Sequence, residues 1–339
     1  MDIGWILIAC AVAMVLSFIF AYPVQKIALR YGFMDIPRDD RRMHTKPTPR
    51  LGGLAIFAAF VVAIVILAIF RSELIPLILP YTLGGIIVFT VGILDDKYNL
   101  KPWMKLVGQA LAGVVLCVFG ITVETISLFG FNLQLGLFSY PLTVIWVIAV
   151  TNIYNLIDGL DGLCCGLSLL SAACLALLAY FDGSVAVTEA AVVLVFACLG
   201  FLPHNTYRAK MFLGDAGAMF CGFMLAAFAT SAVYSAINPM PAFIPIVVFG
   251  IPVFDATFAI IRRIASKRSI FLGDKGHVHH RLSERYGHLR AVILMHVATV
   301  VLIGIALISI ASPICEFIGF GLMLMVLAYA IVRFGVYKK

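Results

Sequence analysis

Long apolar stretches dominate the chain, and each is close to the ~20 residues that a helix needs to cross the hydrocarbon core of a bilayer. Short polar segments separate them. Runs of this length predict membrane-spanning helices rather than buried strands. We therefore predict an all-α, polytopic membrane protein with a single transmembrane domain over residues 1–339, and eleven spans at about 4–23, 51–70, 74–94, 103–120, 140–157, 163–181, 185–203, 216–236, 242–264, 290–311 and 314–333.

Composition agrees with a membrane protein. The chain is 63% hydrophobic and 12% charged, with a mean hydropathy of +1.08, whereas a soluble domain has about 25% charged residues. The net charge of +7 raises the question of nucleic acid, but no basic helix interleaved with aromatic residues is present, so we expect no nucleic-acid partner. The eight cysteines lie mostly inside apolar runs without CxxC spacing, which indicates buried thiols rather than disulfides or zinc ligands.

Charge distribution predicts the orientation in the membrane. Asp2 precedes the first apolar run and Lys26 follows it, which is the wrong charge order for a cleaved signal peptide, so we expect a retained first span with its N-terminus outside. Of the 24 Lys and Arg residues, only Arg71 then lies outside, and the C-terminus is cytoplasmic. Alternating residues on both sides of Gly130 predict a small hairpin on the outer face.

With this orientation, every dense polar cluster lies at a cytoplasmic helix end or loop. A transporter of an anionic solute is the alternative of another class, and it needs polar sites near the midplane that are reachable from both sides. One-sided polarity instead favours an enzyme that acts at the inner membrane surface.

The first two clusters suit phosphate binding. Arg50 lies in a proline- and glycine-rich segment, Pro47 to Gly53, whose restricted backbone suits holding a guanidinium near a phosphate. The alternative is a basic tether on anionic membrane lipid. Asp95 and Asp96 end an otherwise uncharged span, and adjacent carboxylates need a cation such as Mg²⁺ or Lys105 unless they are merely solvated helix-end acids.

The third cluster follows the fifth span. If the helix continued, Asn152, Asn155, Asp158 and Asp161 would share one face, because they recur at three-residue spacing. A charged group at membrane depth costs ~2.5–3.5 kcal/mol, so such residues are expected to be functional. We interpret this stretch as one wall of a polar cleft.

The remaining clusters leave alternatives open. Asp215 opens an apolar helix, where it could be a simple N-cap or an oxygen ligand for a hard cation, and Phe212 could be a membrane anchor or a stacking surface. The HVHH segment at residues 277–280 has no accompanying cysteine and lacks the HExxH spacing, so a phosphate-binding loop is favoured over a zinc site. Asp255 is a lone acid in an apolar run, and two interpretations remain equally open: a structural ion pair with Arg262 or Arg263, or a functional role.

Five motifs together resemble one known family. They are PRLGG at Pro49–Gly53, the Asp95-Asp96 pair, NIYNLIDGLDGL at Asn152–Leu163, the segment from Asn205 to Asp215, and HVHHRL at His277–Leu282. The chain resembles the polyprenyl-phosphate N-acetylhexosamine-1-phosphate transferases. That resemblance implies a protein of ten or eleven spans that joins the sugar-1-phosphate of a UDP-sugar to an inner-leaflet polyprenyl phosphate and releases UMP. It also implies Mg²⁺ as the cofactor, with Mn²⁺ as the alternative ion.

Within the family, the chain is similar to the WecA/TagO branch. Val278 separates His277 from His279, whereas the MraY branch, which uses UDP-MurNAc-pentapeptide, typically has three consecutive histidines. The resemblance implies UDP-GlcNAc and undecaprenyl phosphate as substrates, a cytoplasmic active site in the bacterial inner membrane, and the initiating step of surface polysaccharide synthesis, whether O-antigen, enterobacterial antigen or teichoic acid. It also suggests a homodimer. The MraY activity remains the alternative.

The resemblance also implies roles for individual residues. The metal would be held by Asp215, with Asn205 nearby. The implied catalytic residues are Asp95, Asp96, Asp158, Asp161 and His279, and the implied substrate-binding residues are Arg50, Lys105, Asn152, Asn155, Phe212, His277, His280 and Arg281. Direct attack of the lipid phosphate on the UDP-sugar is the expected mechanism, and a two-step route through a covalent aspartyl phosphate is its rival.

Overall fold

The computed structural model describes residues 3–35, 47–234, 239–265 and 276–334, with the backbone alone for 265 and 327–334. Within these ranges the chain is predominantly helical. The helices are α1 (Ile3–Tyr31), α2 (Gly53–Phe70), α3 (Ile75–Tyr98), α4 (Pro102–Val118), α5 (Ser139–Ile157), α6 (Leu163–Asp182), α7 (Val185–Asn205), α8 (Gly214–Val233), α9 (Ile244–Val248), α10 (Gly250–Ala265), α11 (Val278–Tyr286), α12 (His288–Ser309) and α13 (Pro313–Phe334).

The prediction of an all-α, multi-pass membrane protein is confirmed. In the described ranges, eight helices are long and apolar enough to cross a bilayer, and α4 and the Pro313–Val326 part of α13 are shorter apolar helices. Each predicted span coincides with a helix except the ninth, which is divided into α9 and α10. The count of eleven spans and the orientation stay predictions.

Two short antiparallel hairpins accompany the helices. Strands β3 (Thr125–Leu128) and β4 (Phe131–Gln134) pair directly across Phe129 and Gly130, as the alternating residues predicted. Strands β1 (Met34–Asp35) and β2 (Thr48–Pro49) form the second hairpin, which the sequence analysis did not predict. The β1–β2 pair anchors the segment that carries Arg50, since Arg50 donates its backbone N–H to the carbonyl of Phe33 at 3.0 Å.

Proline explains the division of the ninth span. Pro252 has no N–H for the carbonyl of Val248, which therefore lacks its normal helical partner. The hydroxyl of Ser171 on α6 lies 3.5 Å from that carbonyl and donates to it. Within a membrane no water is present to bond a backbone carbonyl that has lost its helical partner. The hydrogen bond from Ser171 therefore lowers the cost of the helix break.

Helix α8 is the centre of the bundle. Almost every one of its residues is buried, and it packs against α2, α3, α5 and α6. Small residues permit this packing: a Cβ added at Gly53 would lie 2.2 Å from the Cα of Gly217, and one added at Gly92 would lie 2.3 Å from the Cα of Ala216. Close backbone approach through small residues is the usual basis of helix association in membranes, where neighbouring lipid is as apolar as leucine.

These contacts predict different outcomes for two Gly→Ala substitutions. Gly92→Ala should lower the unfolding temperature in detergent, because overpacking against the backbone of Ala216 costs ~1–3 kcal/mol. Gly304→Ala on α12 is the matched control, since a Cβ there meets no atom within 4 Å and should leave the unfolding temperature unchanged or raised. Equal unfolding temperatures for the two variants would contradict the α3–α8 packing.

Candidate active site

The PRLGG segment is bound to the loop that precedes α8. Phe212 donates its N–H to the carbonyl of Pro49 at 2.8 Å, Gly52 donates to Phe212 at 2.9 Å, and Gly53 donates to Leu213 at 2.7 Å. The segment between these bonds carries Arg50, so its guanidinium is brought to the start of α8. This pairing joins two motifs that are more than 150 residues apart in the sequence.

Asp96 caps the start of α8 from the end of α3. Its Oδ1 accepts the N–H of Asp215 and its Oδ2 accepts the N–H of Ala216, both at 3.0 Å. These backbone groups have no partner within their own helix, and the N-terminal end of the helix dipole favours a negative charge. The alternative that Asp215 serves only as its own helix's N-cap is therefore wrong, because the capping carboxylate comes from α3.

Arg50 bridges the two carboxylates. Its Nε donates to Oδ1 of Asp96 at 2.9 Å, and its Nη2 donates to Oδ2 of Asp215 at 2.8 Å. The Asp96 side chain is fully buried, whereas that of Asp215 is 27% exposed. Asp215 is thus the more exposed of the two carboxylates, and it is the one that a ligand from solvent could reach.

Asn155 and Asp158 complete the cluster from the end of α5. Asn155 donates its side-chain amide to Oδ1 of Asp215 at 2.7 Å. Part of Asp158 reaches solvent, but its carboxyl lies among protein atoms and accepts the N–H of Gly214. Burial, together with the negative charges of Asp215 and Asp96, raises the pKa of Asp158 to about 8. Three carboxyl groups thus face one cation, Arg50, and a further cation would favour the ionised form of Asp158.

Asp95 faces a different partner from its neighbour. Its Oδ2 accepts a hydrogen bond from Lys105 Nζ at 2.7 Å, and its Oδ1 accepts the N–H of Leu100 at 2.8 Å. The repulsion predicted for adjacent carboxylates is thus resolved by two different basic groups, Lys105 for Asp95 and Arg50 for Asp96. Asp95 also fixes the turn from α3 into α4, because Leu100 lies within that turn.

The expected common face of Asn152, Asn155, Asp158 and Asp161 does not form. Helix α5 ends at Ile157, and Gly162 adopts a φ of +74°, which side-chain-bearing residues rarely adopt. Asn155 and Asp158 consequently face Asp215. Asn152 instead pairs with Gln109 on α4, donating its amide at 2.6 Å.

Asp161 and Asn205 hold the adjoining loops together. Asp161 accepts the N–H of Ala209 at 3.1 Å, and its own N–H donates to His288 Nε2 at 2.9 Å. Asn205 accepts the N–H of Gly162 at 3.2 Å and donates to the carbonyl of Met211 at 3.0 Å. Both polar atoms of the Asn205 amide thus have backbone partners, which favours a structural role. Its predicted metal contact stays a prediction.

The loop predicted at residues 277–281 is instead the N-cap and first turn of helix α11. This segment, for which we keep the name histidine loop, lies against the Asp158 turn. A Cβ added at Gly159 would lie 2.4 Å from Nε2 of His279 and 3.3 Å from Cε1 of His280. His277 is buried just before α11, and Arg281 is half-buried in the first turn of that helix. Phe212 is half-buried beside the cluster. The structure therefore brings the third, fourth and fifth sequence motifs to one end of the bundle.

Two residues at the margin of the site, Gln109 and His288, were not predicted from the sequence. Gln109 lies in an apolar stretch, and its isolated amide was the available signal. His288 follows Gly287 at the start of α12, where a polar residue between two helices marks a loop contact. Both residues form hydrogen bonds with the third motif: Gln109 with Asn152, and His288 with Asp161. These bonds explain why Asn152 and Asp161 do not face Asp215.

The geometry of Asn205 can be tested directly. Asn205→Asp should lower the unfolding temperature, because an oxygen facing the Met211 carbonyl loses a hydrogen bond and costs ~1–3 kcal/mol. Asn132→Asp, on the exposed strand β4, is the control and should have little effect. If Asn205 were a metal ligand, the added carboxylate would instead increase the stabilisation that Mg²⁺ gives, measured as the shift in unfolding temperature.

Comparison with known proteins agrees with this arrangement. The sequence profile of glycosyl transferase family 4 matches residues 77–233, from α3 to the end of α8. A relative from Bacillus subtilis (strain 168), named "Probable undecaprenyl-phosphate N-acetylglucosaminyl 1-phosphate transferase", is 37% identical over 82% of this chain and 77% of its own length.

Two further relatives cover more of the chain. The "Decaprenyl-phosphate N-acetylglucosaminephosphotransferase" of Mycobacterium tuberculosis (strain ATCC 25618 / H37Rv) is 34% identical over 89% of this chain and 81% of its own length. The "Undecaprenyl-phosphate alpha-N-acetylglucosaminyl 1-phosphate transferase" of Escherichia coli (strain K12) is 28% identical over 94% of this chain and 86% of its own. On these similarities the chain belongs to glycosyl transferase family 4, in its WecA/TagO-like branch.

Proposed function

We propose that this protein transfers N-acetylglucosamine-1-phosphate from UDP-GlcNAc to undecaprenyl phosphate and releases UMP. The reaction takes place at the cytoplasmic face of the bacterial inner membrane, where it begins the synthesis of a surface polysaccharide. The names of the relatives support the donor sugar and the lipid acceptor. The observation that carries the proposal is the cluster of Arg50, Asp96, Asn155, Asp158 and Asp215 at one end of the bundle.

The donor set of this cluster suits Mg²⁺. Carboxylate and amide oxygens are the ligands that this hard cation prefers. Asp215 would hold the ion, with Asp158 and Asn155 beside it, because their side chains converge on the same carboxylate. Bound Mg²⁺, or Mn²⁺ in its place, would neutralise charge on the diphosphate oxygens. Its presence would also favour the ionised form of Asp158.

Lys105 and Asp95 suit the acceptor side. Their ion pair lies where α3 turns into α4, and Trp103, two residues before Lys105 in the sequence, is 60% exposed at the start of α4. Indole side chains at such positions are typical of the membrane–water interface, where a lipid phosphate also lies. Lys105 would bind the phosphate of undecaprenyl phosphate, and Asp95 would orient it through this lysine.

The donor side is formed by the Asp158 turn and the histidine loop. His279, His280 and Arg281 are suited to the diphosphate and sugar, because the two histidines lie next to Gly159 and Arg281 follows them in the first turn of α11. Phe212 offers a half-buried ring for stacking on uracil. Arg50, fixed between Asp96 and Asp215, would neutralise phosphate charge beside them.

Direct transfer needs no covalent enzyme intermediate. An oxygen of the lipid phosphate attacks the β-phosphorus of UDP-GlcNAc, and the bond from that phosphorus to the bridging oxygen breaks as UMP leaves. Catalysis of phosphoryl transfer rests mainly on positioning and charge neutralisation, which this set of basic and carboxylate groups is suited to supply.

The function is tested by UMP release from purified protein with undecaprenyl phosphate. We expect release from UDP-GlcNAc that requires a divalent cation, and a loss of at least about 100-fold for Asp215→Asn, as for removal of a group that stabilises transition-state charge. Asp182→Asn, at the opposite end of α6, is the matched control and should keep full activity. Preference for UDP-MurNAc-pentapeptide would move the proposal to the MraY activity, and no release from any donor would contradict it.

The mechanism is tested by omitting the lipid. Direct transfer predicts no stoichiometric release of UMP when enzyme, Mg²⁺ and labelled UDP-GlcNAc are mixed without undecaprenyl phosphate. The sugar-phosphate label should also stay off the protein. A burst of one UMP per chain with labelled protein would establish the covalent route instead.

A further inference from the structure

Asp255 is a buried acid that the proposed reaction leaves without a task. It lies in the second turn of α10, after the break in the ninth span at Phe249, and is 2% exposed. An ionised carboxylate at such a position is costly unless hydrogen-bond donors surround it. The donors that the structure provides come from the histidine loop, more than 20 residues away along the chain.

One carboxylate contacts this loop at three points. Oδ2 lies 2.6 Å from Nδ1 of His277, and Oδ1 accepts the backbone N–H of His279 at 3.1 Å. Oδ2 also lies 3.1 Å from Nδ1 of His279, where a small rotation of the ring would complete a hydrogen bond. Asp255 thus fixes both the backbone at the start of α11 and the two imidazole rings.

The opposite edge of His279 faces the proposed donor site. Its Nε2 is the atom nearest to the position of a Cβ on Gly159, at 2.4 Å, and Gly159 directly follows Asp158. His279 is 1% exposed, and no described residue supplies a hydrogen-bond partner for this nitrogen. Buried polar atoms normally have partners, so an unpartnered one beside a candidate site points to a ligand group.

The carboxylate determines what this nitrogen can do. A negatively charged acceptor at Nδ1 requires a proton there, which fixes the ring orientation and presents Nε2 toward Gly159. When both nitrogens of the His279 ring carry a proton, Nε2 donates to an anionic oxygen on the side away from the carboxylate. A diphosphate oxygen of a nucleotide sugar has the required chemistry.

A bound transition metal fits this geometry less well. Asp255, His277 and His279 lie close enough to be considered as ligands, but tetrahedral ligands ~2.0 Å from zinc stand about 3.3 Å apart. The 2.6 Å separation of Asp255 and His277 is instead that of a short hydrogen bond. The guanidinium of Arg263, 3.5 Å from Nε2 of His277, further opposes a second positive charge.

We propose that Asp255 is a positioning residue, which orients His279 so that Nε2 donates to the diphosphate of the UDP-sugar. This inference rests on the proposed function. It assigns Asp255 a role in binding of the donor and none in binding of the lipid acceptor. It also gives a reason for the break before α10, which places this carboxylate beside the loop.

Asp255→Asn tests the inference because it keeps the side chain's size and one acceptor for the His279 N–H. We expect kcat/KM for UDP-GlcNAc to fall about 10- to 100-fold, by analogy with the loss of a carboxylate that orients a metal-bound histidine. The KM of the same variant for undecaprenyl phosphate should differ less than about twofold from the wild-type value. Glu189→Gln is the matched control: it neutralises another fully buried acid, paired with Arg71 at the far end of α7, so it should lower the unfolding temperature and leave both KM values unchanged.

A double-mutant cycle with His279→Ala separates positioning from general stability. If Asp255 acts through His279, the double variant should have the same kcat/KM as His279→Ala alone. Fully additive losses in the double variant would overturn the inference, as would wild-type kinetics for Asp255→Asn. It would also be overturned if the wild-type protein contained one equivalent of zinc and the Asp255→Asn variant contained none. Failure of the wild-type protein to release UMP would instead contradict the proposed function.

Discussion

The buried carboxylate of Asp96 is the contact on which the site depends. It accepts the backbone N–H groups of Asp215 and Ala216 in the first turn of α8, and it receives the guanidinium of Arg50. Removing one member of such a buried pair typically costs ~3–5 kcal/mol, because the remaining charge is left uncompensated. The interaction therefore couples three elements, α3, α8 and the segment before α2, and it places Asp215 where a ligand from solvent could reach it.

Glycine makes this contact possible. Gly92 lies one helical turn before Asp96 on the same side of α3, and it lets the backbones of α3 and α8 approach closely enough for the carboxylate to reach the N–H groups. The same reasoning applies to Gly53 against Gly217 on α2 and α8. The geometry of the polar site thus depends on the packing of the apolar helices, because the spacing between the helices determines where the acidic side chains lie.

Much of the fold could be predicted from the sequence because apolar length is a strong signal in membranes. Helix α8 or α12 has no alternative structure that satisfies its backbone in lipid. The break at Phe249 was missed, because the stretch from 242 to 264 stays largely apolar through it and only Pro252 marks it. The motifs of the site were also recognisable, since acids and amides are rare in this chain, but their pairing required contacts between distant residues.

The third motif shows where periodicity fails. Extending α5 past Ile157 would put Asn152, Asn155, Asp158 and Asp161 on one face, but the helix ends at Ile157, and Gly162, at a φ of +74°, precedes the start of α6. The four side chains then serve different partners, and only Asn155 and Asp158 face Asp215. A helical projection of the sequence cannot reveal these different partners. The direction of the turn after α5 depends on the segments packed against it, which are the histidine loop and the loop after α7.

Two buried carboxylates therefore fix the two helix starts that contact the Asp158 turn. Asp96 fixes the start of α8 and Asp255 fixes the start of α11, and each does so by accepting backbone N–H groups as well as binding a basic side chain. The Asp158 turn lies between these two fixed helix starts, in contact with Gly214 on one side and His279 on the other. Because both helix starts are fixed by hydrogen bonds within the protein, the diphosphate would meet groups already oriented, and little binding energy would be lost in ordering them.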